Sequence, residues 1–196
     1  LFEGFVHGSA DLAGDQTVSF RVGRHTLIWG ESVFFPENGI AAGQAPVDTY
    51  RAESRGDYQS SDRFLPVGQA SFSWQIDDGF AIEGYYQFEW RRSRINPEDA
   101  YAAAADVAGA EGTRLIGLPL TGLGTVYYAR TADRSPRSGG QFGLAAKWRV
   151  GDLDFGLYGL RFDAKSPNVE IDLSPTGVVP GYPQAIGTYR LEYPTG

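Results

Sequence analysis

The sequence predicts an all-β protein: an antiparallel transmembrane β-barrel, with this chain expected to form part of a larger one. Three observations carry that expectation. The first is residues 69–92, QASFSWQIDDGFAIEGYYQFEWRR. Side chains alternate faces along a strand, so each face is read at a period of two. Even positions carry Ala70, Phe72, Trp74, Ile76, Phe80, Ile82, Gly84, Tyr86, Phe88 and Trp90, whereas odd positions carry Gln69, Ser71, Ser73, Gln75, Glu83, Tyr85, Gln87, Glu89 and Arg91. The second is the clustering of aromatic residues towards the ends of the apolar band, where lipid headgroups meet water in a barrel. The third is rhythm: short turns at 12–16, 77–79 and 151–152 alternate with long connections at 30–66, 91–140 and 163–187. Outer-membrane barrels have short turns on one side and long loops on the other. A soluble antiparallel sandwich also buries one face and wets the other, but it has no reason to place every long loop at one end.

Residues 1–11 alternate weakly, with Phe2, Val6 and Ala10 against Glu3, Phe5, His7 and Ser9. Residues 17–29 begin with Val18, Phe20 and Val22 against Ser19 and Arg21, and then the phase fails at Gly23-Arg24. A charge facing lipid near the bilayer midplane costs about 2–4 kcal/mol. A bulge at Gly23 is therefore expected, turning Arg24 inward. With the turn centred near Ala13-Gly14, His7 falls opposite Arg21, and Glu3 falls near Arg24 and His25 as an interior charge cluster.

Strands are then expected near 67–77 and 80–92, joined at Asp77-Asp78-Gly79, where glycine supplies a positive φ. The connection that follows carries Asn96-Pro97-Glu98-Asp99 ahead of an alanine run. This reads as a short capped helix, with Asn at the N-cap and Pro at the first helical position. Residues 141–150 alternate again, with Phe142, Leu144, Ala146, Trp148 and Val150 against Gln141, Gly143, Ala145, Lys147 and Arg149. Gly151-Asp152 turns the chain into 153–162, placing Asp154 opposite Arg149, and a last strand begins near 188–193. Seven strands is an odd count, whereas bacterial barrels have even counts and must close; a fragment of a longer chain is expected.

The expected water-facing (lumen) residues are thus Glu3, His7, Arg21, Arg24, Glu83, Gln87, Glu89, Arg91, Lys147 and Arg149. The expected lipid-facing residues are Phe72, Trp74, Ile76, Phe80, Ile82, Tyr86, Phe88, Trp90, Phe142, Leu144 and Trp148.

Composition narrows the classes further. No run of eighteen apolar residues crosses the chain, so no helical span is expected. There is no cysteine, which removes disulfides and thiolate metal sites. A net charge of −7 and a pI near 4.8 argue against a nucleic-acid partner. Position 1 is leucine and the chain holds no methionine, so it is not expected to begin at a translation start.

The stretches FRVGRHTLIWGESVFFPENGI, PVD (Pro46-Val47-Asp48), FLPVGQASFSW, FAIEGYYQFEW and GGQFGLAAKW resemble, in order and spacing, the proteobacterial domain-of-unknown-function family 1302. The tail YRLEYP is similar to that family's entry to a further strand. The resemblance spans essentially the whole chain and implies a longer Gram-negative outer-membrane barrel. It also implies traffic of hydrophobic or lipid-like compounds and a periplasmic or envelope protein partner. The family's usual Asn-Pro-Val-Asp stands here as Ala45-Pro46-Val47-Asp48, and the run Ala102–Ala105 looks like an insertion. No catalytic residue is carried over.

Catalytic patterns are not expected either. The two histidines, His7 and His25, have no HExxH spacing, and GxSxG is absent. A Ser–His pair of His25 with Ser9 or Ser19 is the one nucleophilic arrangement available, and it ranks well below an interior structural role. Glu83 and Glu89 lie six residues apart on one expected strand, roughly 20 Å at strand rise and too far for paired-carboxylate glycosidase work. The loop acids Asp48, Asp57, Asp62, Glu98 and Asp99 lack calcium-loop spacing and read as solvated charge. The expected function is a porin-like conduit in the bacterial outer membrane, touching membrane lipid and a small hydrophobic substrate, without cofactor or metal. A non-conducting surface barrel for adhesion or envelope assembly is the alternative, and a soluble β-sandwich binding module the next.

Overall fold

The computed structural model describes residues 2–30, 40–49, 63–95, 107, 112–116, 126–173 and 185–196. Alternating sequence becomes strand wherever it was long enough to read. In chain order these are β1 (Gly4–Asp11), β2 (Thr17–His25), a helical turn α1 (Ile40–Gln44), β3 (Val67–Asp77), β4 (Phe80–Gln87), β5 (Arg114–Ile116) and β6 (Tyr127–Arg130). They continue with β7 (Gln141–Val150), β8 (Leu153–Arg161), β9 (Asn168–Leu173) and β10 (Ala185–Glu192). The described residues are therefore mostly antiparallel sheet with almost no helix. The helix expected from Asn96 onward lies outside the described residues.

Two sheets form. The larger has six strands in the order β1-β2-β3-β4-β7-β8, every neighbour antiparallel. This order places the turns after β1, β3 and β7 at one end of the sheet. In the first turn, Leu12 N donates to Gln16 O at 2.7 Å; Gly14 and Asp15 take positive φ there, as a tight reversal requires. The smaller sheet, in the order β5-β6-β10-β9, includes a parallel β6–β10 pair. No closed barrel is formed among the described residues: β1 and β8 each pair on one side only.

Register lines up whole rows across the large sheet. On one face, Val6, Val22, Ala70, Tyr86 and Phe142 form one row, and Gly8, Phe20, Phe72, Gly84 and Leu144 the next. Val18, Trp74, Ile82, Ala146 and Leu157 follow, and Phe80, Trp148 and Phe155 complete the apolar face, with Trp148 stacked on Phe155. Packing does not cover this face: Leu144 is 57 % exposed and Leu157 67 %. The buried side chains of this sheet lie on the opposite face. There Trp29, Tyr85 and Ala145 form a small cluster, with Leu27, Ile40, Tyr158 and Leu160 against it. A second cluster of Ala41, Ala45 and Phe64 joins α1 to the chain entering β3.

Several expectations need correcting. There is no bulge at Gly23: its register runs unbroken from Thr17–Gln75 to His25–Val67. Gly23 instead adopts φ +132°, and a Cβ there would lie 2.5 Å from Gly4 O. The phase change occurs on β4's side of the sheet. Phe88 N and Glu89 N both donate to Gly68 O, at 3.1 and 3.2 Å, the hydrogen-bond pattern of a β-bulge. Glu89 thereby moves to the face that the register gives Arg24, and the two form an ion pair. Arg24 and Glu89 are thus on the apolar side of the sheet end, neutralised by each other rather than turned to the polar face.

Glu3 is also not part of that pair; it accepts from Thr26 Oγ1 at 3.0 Å. Another register shift falls between Gln75 and Asp77, making Ile76 an extra residue of the β3–β4 hairpin, and Gly79 does not take the positive φ expected of it. β2 and β4 stop at His25 and Gln87, short of the expected 29 and 92. Trp90 and Arg91 consequently lie beyond strand register. Trp90 packs edge-on against Tyr193 at 4.8 Å and donates its indole N–H to Ala164 O. Arg91 lines a cleft with Arg92 and Tyr193.

Candidate functional site

The second face of the large sheet carries the polar chemistry, and register arranges it in rows from the short-turn end to the long-loop end. Nearest the turns, Arg149 lies directly opposite Asp154, Nε to Oδ1 2.7 Å. In the next rows Lys147 reaches diagonally across β4–β7 to Glu83, Nζ to Oε1 2.7 Å. Ser9, Ser19, Ser73 and Glu83 form one continuous row, and His7, Arg21, Ser71 and Tyr85 the following one. His7 opposite Arg21 is thus a register fact. The Arg21 guanidinium sits over the Phe5 ring, 4.7 Å from its centroid.

His25 is buried and joins this face through Ser71, with Nε2 3.1 Å from Ser71 Oγ and Nδ1 3.2 Å from Gly23 O. A carbonyl oxygen only accepts, so Nδ1 carries a hydrogen. In the neutral ring Nε2 then accepts from the Ser71 hydroxyl. This pairs serine with imidazole, but the serine is Ser71 rather than Ser9 or Ser19. A carbonyl, not a carboxylate, orients the ring, so an imidazolium formed during acyl transfer would lack a counter-charge on that side. The arrangement ties β2 to β3.

The last row is the most buried. Gln69, Gln87 and Gln141 are register partners on β3, β4 and β7, and each is at most 1 % exposed. Gln87 Nε2 donates to Gln44 O of α1 at 2.6 Å and to Gln69 Oε1 at 3.2 Å. Gln69 Nε2 donates to His25 O at 2.9 Å. Gln44 in turn accepts from Trp29 N through Oε1. Lys165, beyond β8, donates from Nζ to Gln141 Oε1 and, at 3.4 Å, to Gln87 Oε1. Burial pushes its ammonium down to about 8, against an upward pull from Asp163.

Bonded in this way, with only the Gln44 and Gln141 amide nitrogens left unpartnered among the row's described groups, the buried amides hold α1 and the residues around Trp29 as a strap over one end of the polar face. The Pro46-Val47-Asp48 stretch anchors the strap. Leu65 N donates to Pro46 O, Arg94 N to Val47 O and Asp48 N to Arg63 O, each at 2.7 Å. Asp48 is therefore not solvated loop charge; it is fully buried, 3.6 Å from the Arg94 guanidinium. Asp57, Asp62, Glu98 and Asp99 lie outside the described residues.

Of the expected water-facing residues, His7, Arg21, Glu83, Gln87, Lys147 and Arg149 share this face. Of the expected lipid-facing set, Phe72, Trp74, Phe80, Ile82, Tyr86, Phe142, Leu144 and Trp148 share the other, and Phe88 is exposed beyond the end of β4. Sequence reasoning gave Gln69 and Gln141 a polar face but no reason to single them out, and it missed Gln44 and Lys165. The Gln69–Gln87 partnership follows from the hairpin turn; Gln141 joins only once β7 docks beside β4, across a long connection. Among the described residues no cluster of His, Cys, Asp and Glu is arranged to hold a metal ion.

Comparison with curated proteins and with solved structures returns no match. A family model does match, over residues 1–196, and its description is protein of unknown function (DUF1302); the chain belongs to that family.

Proposed function

We propose that this protein is an outer-membrane β-barrel conduit of the bacterial envelope, with the six-stranded sheet as part of its wall. The observation that carries the reading is inversion: large apolar side chains cover an exposed sheet face, while glutamine, histidine and lysine are buried on the other. In water such a face is an aggregation liability. In a bilayer each apolar side chain gains about 1.5–3 kcal/mol on leaving water. Phe72, Trp74, Phe80, Ile82, Tyr86, Phe142, Leu144 and Trp148 then face lipid, and His7, Arg21, Glu83, Lys147 and Arg149 face a watery lumen. Backbone groups on the free edges of β1 and β8 must be paired within lipid, so the reading requires further strands on both sides. Hydrophobic cargo and a periplasmic partner, implied by the family resemblance, belong to this same proposal.

The strap held by Gln44, Gln87 and Lys165 favours a second reading, a non-conducting barrel used for adhesion or envelope assembly. Planar-bilayer recording separates the two. Discrete conductance steps whose ion selectivity shifts in Glu83→Ala and Arg149→Ala support the conduit. A silent bilayer holding folded, inserted protein leaves the non-conducting barrel. Protein that stays monodisperse without detergent and ignores lipid vesicles removes both and restores the soluble sandwich.

A further inference from the structure

Between the strap and the polar face, at the short-turn side of the glutamine row, lies a cleft of about 320 Å³. Leu27 and Trp29 form its apolar wall, and Ser19, Arg21, Ser71 and Ser73 lie among the strand residues lining it. The other cations on this face are neutralised or buried: Lys147 by Glu83, Arg149 by Asp154, and Lys165 within the amide row. Arg21 differs. It has no carboxylate partner among the described residues, is exposed, and rests only on the Phe5 ring. Glu83, the carboxylate lining the cleft, is already held by Lys147.

Two further donors lack acceptors. The Ser19 and Ser73 hydroxyls engage no other described side chain. Ser71, by contrast, is taken up by His25. The cleft therefore presents unspent donors and one uncompensated positive charge beside an apolar wall. Such a lining attracts acceptors carrying negative charge and repels cations.

We propose that this cleft binds a small organic monoanion, its carboxylate on Arg21 and the Ser19 and Ser73 hydroxyls, its apolar body against Leu27 and Trp29. The assignment rests on the reading of this face as the lining of a conduit, and makes the cleft a selective station along it. Arginine suits the task because its fork of N–H donors matches the two oxygens of a carboxylate.

Isothermal titration of the protein, in lipid nanodiscs where it inserts and in detergent-free buffer where it does not, with benzoate, benzyl alcohol, benzylammonium and acetate tests the assignment. Benzoate is expected to bind best. Losing the charge (benzyl alcohol) or the cation (Arg21→Gln) is expected to weaken binding about tenfold or more, the scale of one charge-assisted hydrogen bond. Arg21→Lys retains a preference for benzoate over benzyl alcohol, which keeps the test open if the glutamine variant folds poorly. Arg149→Gln, at the paired short-turn end, leaves benzoate affinity unchanged.

Equal binding of benzoate and benzyl alcohol, or undiminished benzoate binding by Arg21→Gln, overturns the proposal. Acetate binding as well as benzoate overturns the apolar wall's part in it. Vesicle insertion is scored on the same protein preparations. Inserted protein without a benzoate preference sinks the site and leaves the barrel standing. Protein that ignores lipid yet binds benzoate through Arg21 sinks the barrel and leaves the site standing.

Discussion

The two ends of one polar face handle charge in opposite ways. At the short-turn end, Arg149 and Asp154 pair with side chains 63 % and 70 % exposed, where water and salt do most of the neutralising. At the long-loop end the same face is roofed by the strap, and the chain uses amides: Gln69, Gln87, Gln141 and Gln44, with Lys165 the one cation among them. An amide both donates and accepts, so a row of them can close a buried network without carrying net charge. Polarity alone does not decide how tightly a surface is held. Access to water does.

The sharpest way to break this contrast is Gln87→Leu. It orphans Gln44 O and Gln69 Oε1 and takes one of two acceptors from Lys165 Nζ, which keeps Gln141 Oε1. With each orphaned buried group costing about 1–3 kcal/mol, a loss of roughly 3 kcal/mol or more is expected in urea unfolding of the detergent-solubilised protein. Hydrogen exchange at the amide of Trp29 should rise with it. Unchanged stability would mean that the amide row is ornamental.

Lys165 gives the contrast a pH signature. Its value falls from 10.5 to about 8 on folding, so between those pH values the unfolded chain binds more protons than the folded one. Stability therefore rises as pH goes from about 8 to 10.5, and it is lowest below about 8, where the buried amine is charged. The rise is on the order of 3 kcal/mol. Lys165→Met should flatten it, and a wild-type curve already flat across that window would refute the shift.

Gly23→Ala probes the seam between β1 and β2. The φ of +132° and the 2.5 Å approach to Gly4 O leave no room for a methyl group. A loss of roughly 1–3 kcal/mol is expected, with faster exchange at the amides of β1. Wild-type stability in this variant would show that the close approach relaxes freely. Smallest of all, Asp154→Asn at the exposed pair should leave the unfolding midpoint unmoved; a marked drop would show that this end is not governed by solvent.

Much of the large sheet was legible because its signal is local. Alternation within 69–77, 80–87 and 141–150, with Gly at the reversals, is set by the two faces meeting different surroundings, and the antiparallel register follows from each turn. Of the small sheet, β10 was expected near 188–193 and the other three strands were not, for two reasons. β5 and β6 are three and four residues long, too short for a period to declare itself. β9, Asn168–Leu173, does alternate, with Val169, Ile171 and Leu173 against Glu170 and Asp172, but its proline-rich setting suggested a loop. Its partners are non-local: β10 beside β6 is a parallel pairing that no turn announces.

By itself, then, the sequence determined which residues share a strand face, where the tight reversals fall, and that the chain is rich in antiparallel sheet. Those features depend on neighbours one to a dozen residues away. Only the tertiary structure decided that Arg24 is neutralised by Glu89 through a bulge at Phe88, that Trp90 leaves the sheet for Tyr193, and that Gln44 and Lys165 close an amide row with Gln141. Each of these joins groups brought together by long connections. There the partner is chosen by which side chain can satisfy a desolvated donor or charge, a condition that exists only once the strands have docked.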